Sequence, residues 1–332
     1  MSRADTVLVT GATGFVGAAV TRALLRAGFS VRVTARRTSD RLNLQGLDVE
    51  IVNFDLTNPR GFPEALAGCR YLFHVAADYR LWVPNEAAMR KVNIEGTVSL
   101  LQAAATARVE RTVYTSSVAA LGLNDDGSPA DETTPIKPEH HVGAYKRSKY
   151  DAEQAVRRLA AEGQNIVIVN PTTPVGPGDV KPTPTGKMVL DAARGAMPAY
   201  VDTGLNIVHV GDVAAGHLLA LEKGVSGQSY ILGRENMLLG ELFTMIANQT
   251  GRKAPEIRLP ILPLMPIAWF MERRANKTGN PPLMTPDILR MARKKMYFSS
   301  AKAVRELGYK PRPAAQAVGD ALGWFRTQGM LK

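Results

Sequence analysis

Short runs dense in Val, Ile, Thr and aromatic residues alternate with amphipathic stretches through the first half of the chain. The apolar runs at 6–10, 31–35, 50–53, 71–75, 111–115 and 165–169 have the length and β-branched content of buried strands. Between them, stretches near 14–27, 61–67, 86–107 and 143–162 repeat their apolar positions at helical spacing, and Gly28 stands where a helix C-terminal glycine is expected. Regular alternation of buried strands with helices predicts an α/β fold with a doubly wound parallel sheet. Proline and glycine then crowd into 170–186, which reads as the crossing from one half of the molecule to the other. Beyond it, Val208–Val210 predicts a strand running into a helix at 211–223. Ser229–Leu232 predicts another strand, followed by a helix at 238–250. Helical spacing near 283–296 and 313–327 completes a mixed second half without internal repeats.

Composition narrows the class. At 332 residues and 45% hydrophobic content the chain fills one large domain or two unequal ones. No segment is apolar for long enough to span a bilayer, and the chain enters its first strand without a signal-peptide pattern. Cys69 is the single cysteine, which excludes an internal disulfide and fits a reducing cytoplasm. The five histidines (74, 140, 141, 209, 217) form no His-Glu-x-x-His pattern, so no metal is expected and His140-His141 reads as a loop pair.

The net charge of +11 is concentrated: residues 252–312 carry 14 Lys/Arg against 4 Asp/Glu, a net of +10. Within this stretch runs the apolar segment 259–271, followed by Arg273, Arg274 and Lys277. The first expectation is a core-packing segment with a solvated basic face. The second is a peripheral contact with an anionic membrane, for the chain's own compartment the inner membrane surface. No aromatic-studded basic strand motif supports nucleic-acid binding.

Two groups of residues carry chemistry. The first is Thr10-Gly-Ala-Thr-Gly-Phe-Val-Gly17, between the first strand and the first helix. Gly11 permits a tight turn, Gly14 lets the backbone approach a pyrophosphate, and Gly17 lets the helix lie close to the sheet. Thr13, Phe15 and Val16 belong to the same loop, where a helix N-terminus offers free N–H groups and a positive dipole end. The second group is Tyr145 and Lys149. They are four apart, so both reach one site from one helix face, and an ammonium there is expected to pull a phenol below its usual pKa of about 10. Ser116-Ser117 follows the fifth strand and offers a hydroxyl to a substrate oxygen. Ala76-Ala77, after the fourth strand, are small enough for a close backbone approach to a cofactor. His74 reads as a core histidine.

These motifs come in the order found in extended short-chain dehydrogenases/reductases, the NAD-dependent epimerase/dehydratase family, and the chain resembles that family from residue 5 to about 328. The matching pieces are the glycine loop, Asp55-Leu56, 74–77, 92–96, Ser116-Ser117, Tyr145-x-x-x-Lys149 and Asn170-Pro171. Residues 74–84, 181–186, 198–204 and 291–296 are similar to the hopanoid-associated sugar epimerase group, also described as dihydroflavonol 4-reductase-like. The resemblance implies a Rossmann-type domain over 1–172, to whose sheet 206–221 returns, and a smaller, mostly helical substrate cap over most of 173–332. It implies catalysis by Ser117, preferred over Ser116 because it lies five residues before Gly122, with Tyr145 moving the proton and Lys149 also binding the nicotinamide ribose. Asp55 and Leu56 are expected at the adenine, Asn93 in an ordering role, and Pro171 and Thr173 near the carboxamide. After the second strand the order Val33-Thr-Ala-Arg36-Arg37 lacks the carboxylate usual for NAD. Arg36 suits a 2′-phosphate, with Arg41 as a further contact, so NADP is expected ahead of NAD. Asp78, Tyr79, Arg80, Trp82, Met188, Asn206 and Arg290 are the substrate candidates.

The activity expected is NADP(H)-dependent hydride transfer at a secondary alcohol or ketone, on a polyol or sugar linked to hopanoid lipid metabolism. The alternatives are a sugar epimerase that retains its cofactor and a non-catalytic dinucleotide-binding regulator. A homodimer through the helices near 86–107 and 143–162 is a further implication of the resemblance.

Overall fold

The computed structural model describes residues 5–137, 140 and 142–332. Its first strands and helices follow the hydrophobic pattern closely. They are β1 (Thr6–Thr10), α1 (Phe15–Arg26), β2 (Ser30–Ala35), β3 (Glu50–Asn53), α2 (Phe62–Leu66), β4 (Tyr71–His74), α3 (Glu86–Arg90), α4 (Thr97–Thr106), β5 (Arg111–Thr115), α5 (Gly143–Ala161) and β6 (Ile166–Pro171). A π-type turn, Lys91–Gly96, joins α3 to α4. Then come β7 (Thr173–Val175), α6 (Pro184–Ala193), β8 (Ala199–Val201), β9 (Gly204–His209), α7 (Val210–Lys223), β10 (Ser229–Leu232), β11 (Glu235–Leu238), α8 (Leu239–Thr250), β12 (Ile257–Leu259), α9 (Ile261–Thr278), α10 (Pro286–Ala292) and α11 (Ala314–Thr327).

The main sheet has seven strands in the order β10-β6-β5-β4-β1-β2-β3, with every pairing parallel. Period-2 alternation divides the central strands β1, β4, β5 and β6 between two cores. Val7 and Val9 of β1 pack with Val20 and Leu24 of α1 and Val213 of α7 on one face. Leu8 turns to the other face, with Phe62, Leu100, Leu101 and Val156 from α2, α4 and α5. Strand order reverses between β1 and β4, and a crevice at the carboxyl ends of such strands is where ligands bind in open α/β sheets. This is a Rossmann-type doubly wound fold.

The second half corrects two expectations. Segment 206–221 sends no strand into the main sheet: β9 lies between β7 and β11 in a three-stranded sheet, and only α7 packs back, on α1 and β6. The strand that completes the main sheet is β10, which is fully buried along its length, as an apolar run flanked by helices demands. The cap is mostly helical, as expected, and β8 and β12 pair within it as a further small sheet. Its core gathers α6, α8 and α11 around Tyr200, Ile207, Phe243 and Phe325. Finally, segment 259–271 is not a core-packing segment. It forms the end of β12 and half of α9, and of the 18 residues of α9 only Ala268 and Ala275 are buried.

Candidate functional site

The glycine loop is built from contacts that a side chain would destroy. Gly11 has φ +73°, and a Cβ there would lie 2.8 Å from the backbone of Ala76. A Cβ on Gly17 would lie 2.2 Å from the Gly11 carbonyl oxygen. The first strand-turn therefore presses on the end of β4, and α1 presses on the loop. Among the described residues α1 has no side-chain cap, and its first turn carries no acid. Its N–H groups and positive dipole end stay available to an anion. Thr10 braces the loop from beneath. Its Oγ1 accepts from the N–H groups of Val75 and Ala76, both at 3.1 Å. Its own proton is then left for His74 Nδ1 at 2.8 Å, so Nε2–H of His74 donates to Thr97 Oγ1 at 2.9 Å. Burial, and then the nearby Lys149 charge, push the His74 pKa down to about 3, which suits a neutral ring that accepts at one nitrogen.

Ser117 begins a short helical turn, and its Oγ accepts from Ala119 N–H at 3.1 Å. The Tyr145 phenol, on the first turn of α5, lies close enough to Ser117 for that side chain to pull its pKa down. Ser116 Oγ is instead buried with no partner among the described residues. Lys149, one turn beyond Tyr145, donates to the Thr115 carbonyl at 3.0 Å and lies 5.2 Å from the Tyr114 ring centre. Burial lowers its pKa to about 8, with Glu153 pulling the other way. The expected depression of Tyr145 by Lys149 is not what this geometry produces. Burial pushes the phenol up and the Ser117 side chain pulls it the other way, while the Lys149 ammonium donates to a main-chain oxygen.

Asn93 lies in the π-type turn and reads the chain on three sides. Its Oδ1 accepts from Asp78 N–H at 2.7 Å, and its Nδ2 donates to Asp78 O at 2.9 Å and Ser148 Oγ at 3.0 Å. It thereby ties the loop after β4 to the helix that carries Tyr145. Gly96, in the same turn, lies under the loop after β3: a Cβ would come 2.8 Å from Leu56 O. Asp55 caps Thr57 through its N–H and hydroxyl at 2.8 and 2.7 Å. Burial works to raise its carboxyl, but the Thr57 hydrogen bonds and then the Arg36 charge outweigh it, so the pKa is lowered. The fold thus brings a carboxylate from β3 towards Arg36, which sequence order alone separates. Arg36 and Arg41 are both exposed.

The substrate candidates divide. Asp78 pairs with Arg80 through Arg80 Nε at 2.9 Å, Tyr79 is about half exposed, and Trp82 is half-buried, all in the loop that Asn93 holds. Asn206 does not belong with them. It is buried, its Nδ2 donates to Asn236 Oδ1 (2.8 Å) and Phe298 O (3.1 Å), and its Oδ1 accepts from Arg234 N–H (2.8 Å), so its polar atoms are spent on the cap sheet. Met188 packs against the cap core on α6. Arg290 pairs with Asp287 at 2.7 Å on α10. His140 is buried, with Nδ1 accepting from Leu123 and Lys137 N–H, both at 3.3 Å, whereas His141 lies outside the described residues.

Three contributors were not singled out from the sequence. Glu153 is buried and accepts from Arg157 (2.7 and 3.0 Å) and from Asn170 Nδ2 (2.8 Å). Asn170 also donates to Ser117 O at 3.1 Å, so α5, β6 and the serine turn are joined. The spacing 145–149–153–157 on one helix face was the available signal. Asn43 donates to Thr13 O (3.3 Å) and Gly178 O (3.0 Å), latching the glycine loop to the segment after β7. Asp179 is buried with Thr183, and burial raises its pKa to about 6. No local pattern marks either of these two residues.

A dinucleotide fits these residues. The uncapped helix end, the side-chain-free approach of Gly11 to Ala76, and the buried unpartnered Asn170 Oδ1 beside the serine turn are features of a site shaped for a polar ligand. Residues 7–233 match the model of the NAD dependent epimerase/dehydratase family. The chain is 45% identical to the "Putative dihydroflavonol 4-reductase" of Synechocystis sp. (strain ATCC 27184 / PCC 6803 / Kazusa), over 100% of this chain and 98% of that protein. It is 36% identical to the sterol demethylase protein B of Methylococcus capsulatus, over 98% and 100%. The crystal structure of gox2253 superposes with a TM-score of 0.89 at 55% identity, covering 99% of this chain and 100% of that one.

Proposed function

The chain belongs to the NAD dependent epimerase/dehydratase family and is an NAD(P)-dependent enzyme of the extended short-chain dehydrogenase/reductase type; from that premise we propose that it is an NADP(H)-dependent reductase of a ketone on a polyol or sugar group carried by a hopanoid lipid. The observation behind this reading is the approach of the Ser117 side chain to the Tyr145 phenol at the carboxyl edge of the sheet, one helical turn from Lys149.

In the reaction, Ser117 hydrogen-bonds the reacting oxygen and Tyr145 delivers its phenolic proton to it. Burial keeps that phenol protonated, which is the state ketone reduction starts from. Lys149 lies one turn away to offset the phenolate left behind and to hold the ribose. Gly11, Thr13, Gly14, Phe15, Val16 and Gly17 would take the phosphates of a bound dinucleotide, Asp55 and Leu56 the adenine, and Ala76, Ala77, Pro171 and Thr173 the nicotinamide end. When bound, the dinucleotide supplies the hydride. Asn93 orders the loop in which Asp78, Tyr79, Arg80 and Trp82 meet the substrate. Arg36, exposed at the end of β2, favours NADP over NAD. The sterol-related name of one relative supports a polycyclic lipid substrate.

Residues 1–172 with α7 form the dinucleotide half of this enzyme and most of 173–332 its cap, and two copies pair through α4 and α5. The test is NADPH and NADH oxidation by the purified protein with hydroxyketones and sugar ketones. Faster turnover with NADH, or none with either, overturns the reading. The family description favours a second reading, epimerisation with returned hydride. In that case protein purified through gel filtration carries a nicotinamide dinucleotide and consumes none in turnover.

A further inference from the structure

We infer that α9 is an interfacial membrane helix that lays one face on an anionic lipid surface. Helical geometry places Leu262, Pro266, Trp269, Phe270, Arg273 and Lys277 on one side of α9, at successive i, i+3, i+4 and i+7 positions. Ala268 and Ala275, its two buried residues, lie on the opposite side, and α9 packs against α10. The outer face is apolar in its first half and cationic in its second. Leu262 is 73% exposed, Phe270 67% and Trp269 54%, and Leu283 just beyond the helix is 80% exposed. Large apolar side chains this open, grouped on one element, mark an interaction site.

Charge selects the partner. Arg273, Arg274 and Lys277 follow the apolar half within two turns, and the Arg273 guanidinium lies 4.6 Å from the Trp269 ring centre. The single acid of α9, Glu272, is half-buried and interacts with Asp287 and Arg290 on α10. A second copy docked antiparallel on this face by two-fold symmetry would set the cations of each helix against the apolar half of the other, with no acid to pair them. An anionic bilayer instead takes the Trp, Phe and Leu side chains at the headgroup boundary and the Arg and Lys side chains at its phosphates. The helix lies on the membrane, because no helix among the described residues is long and apolar enough to cross one. A recess of about 710 Å³, lined by residues 259–263 with Asp202 and Arg293, opens at the root of α9 and shares Leu262 with this surface. The surface gives the lipid-borne substrate of the proposed reaction a route to the cap, and in that respect it rests on that reading.

The experiment is flotation of the full chain, without substrate, on phosphatidylcholine vesicles with and without about 30 mol% phosphatidylglycerol. The expected result is flotation with the anionic vesicles at low salt. Binding should fall about tenfold or more in Trp269→Ala/Phe270→Ala and in Arg273→Gln/Arg274→Gln, and the arginine pair should account for most of the salt dependence. All four positions are exposed, so circular dichroism and NADPH oxidation with a water-soluble ketone should stay at wild-type values. No flotation at low salt, or flotation of both double variants at the wild-type level, overturns the inference. So does a dimer in light scattering that dissociates in Trp269→Ala/Phe270→Ala, since a second copy then covers the face. Failure of the ketone assay with flotation intact would instead count against the proposed reaction.

Discussion

At the scale of single residues, the site sets a protonated phenol beside a serine and a low-pKa lysine. Tyr145→Phe keeps the ring and removes the proton. The expected outcome is a loss of about 10²–10⁴ in kcat with folding and dinucleotide binding retained, checked by steady-state rates and by fluorescence titration with NADPH. Undiminished turnover would remove Tyr145 from the reaction. Arg36→Ala should reduce kcat/KM with NADPH by about 10- to 100-fold and leave NADH nearly unchanged, because a charge-assisted hydrogen bond to a phosphate is worth about 1.5–3 kcal/mol. Equal losses with both cofactors would mean that Arg36 does not read the 2′-phosphate. Motif spacing along the chain made Tyr145, Lys149 and the glycine loop legible. It did not reveal that Lys149 turns to the Thr115 carbonyl, or that Asn206 spends its amide on the cap sheet, since both depend on atoms distant in sequence.

At the scale of elements, α5 acts as a ruler. Tyr145, Lys149, Glu153 and Arg157 occupy one face, and Glu153 joins the helix to β6 through Asn170 and to β10 through Arg157 and Ser229. Glu153→Ala leaves the Asn170 amide and the Arg157 guanidinium without this carboxylate. The expected cost is about 1–3 kcal/mol in urea unfolding, together with weaker catalysis as the serine turn loosens. A variant as stable as wild type would show that the carboxylate ties nothing down. In α1 the contact is steric. Gly17→Ala puts a methyl 2.2 Å from the Gly11 carbonyl oxygen, so the loop has to move. NADPH affinity should drop at least about tenfold, measured by titration, because the loop and not a flexible side chain occupies the space. Element positions in the first half followed from the period of the apolar residues. The destination of β9 and β10 did not, because two buried strands of similar length carry no mark of which sheet they join.

At the scale of the whole molecule, buried titratable groups set the response to pH. Burial lowers His74 from 6.5 to about 3 and His217 from 6.5 to about 4. Between those values and 6.5 the unfolded chain binds more protons than the folded one, so stability rises with pH there and is lost as pH falls. Asp179 acts in the opposite sense: burial raises it from 3.8 to about 6, so its contribution declines as pH rises through that window. Two imidazoles outweigh one carboxyl, and the melting temperature should fall between pH 6.5 and 4. His217→Gln should flatten the fall, read by thermal scans across that range. A profile of unchanged slope in the variant would show that His217 is not a source of the loss.

Alternation of β-branched and amphipathic segments, glycines at loop positions, and the 145–149 pair by themselves determined the Rossmann-type sheet and the chemistry gathered at its edge. Such features act over one turn or one strand, where neighbours in sequence are neighbours in space. Tertiary structure alone decided the rest: which strand closes the main sheet, that Asn43 and Asn93 latch the loops around the glycine turn, and that burial rather than the lysine governs the phenol. It also decided that α9 faces outward. An amphipathic pattern states that a helix has an apolar side, and only the packed chain shows whether another part of the same molecule covers it.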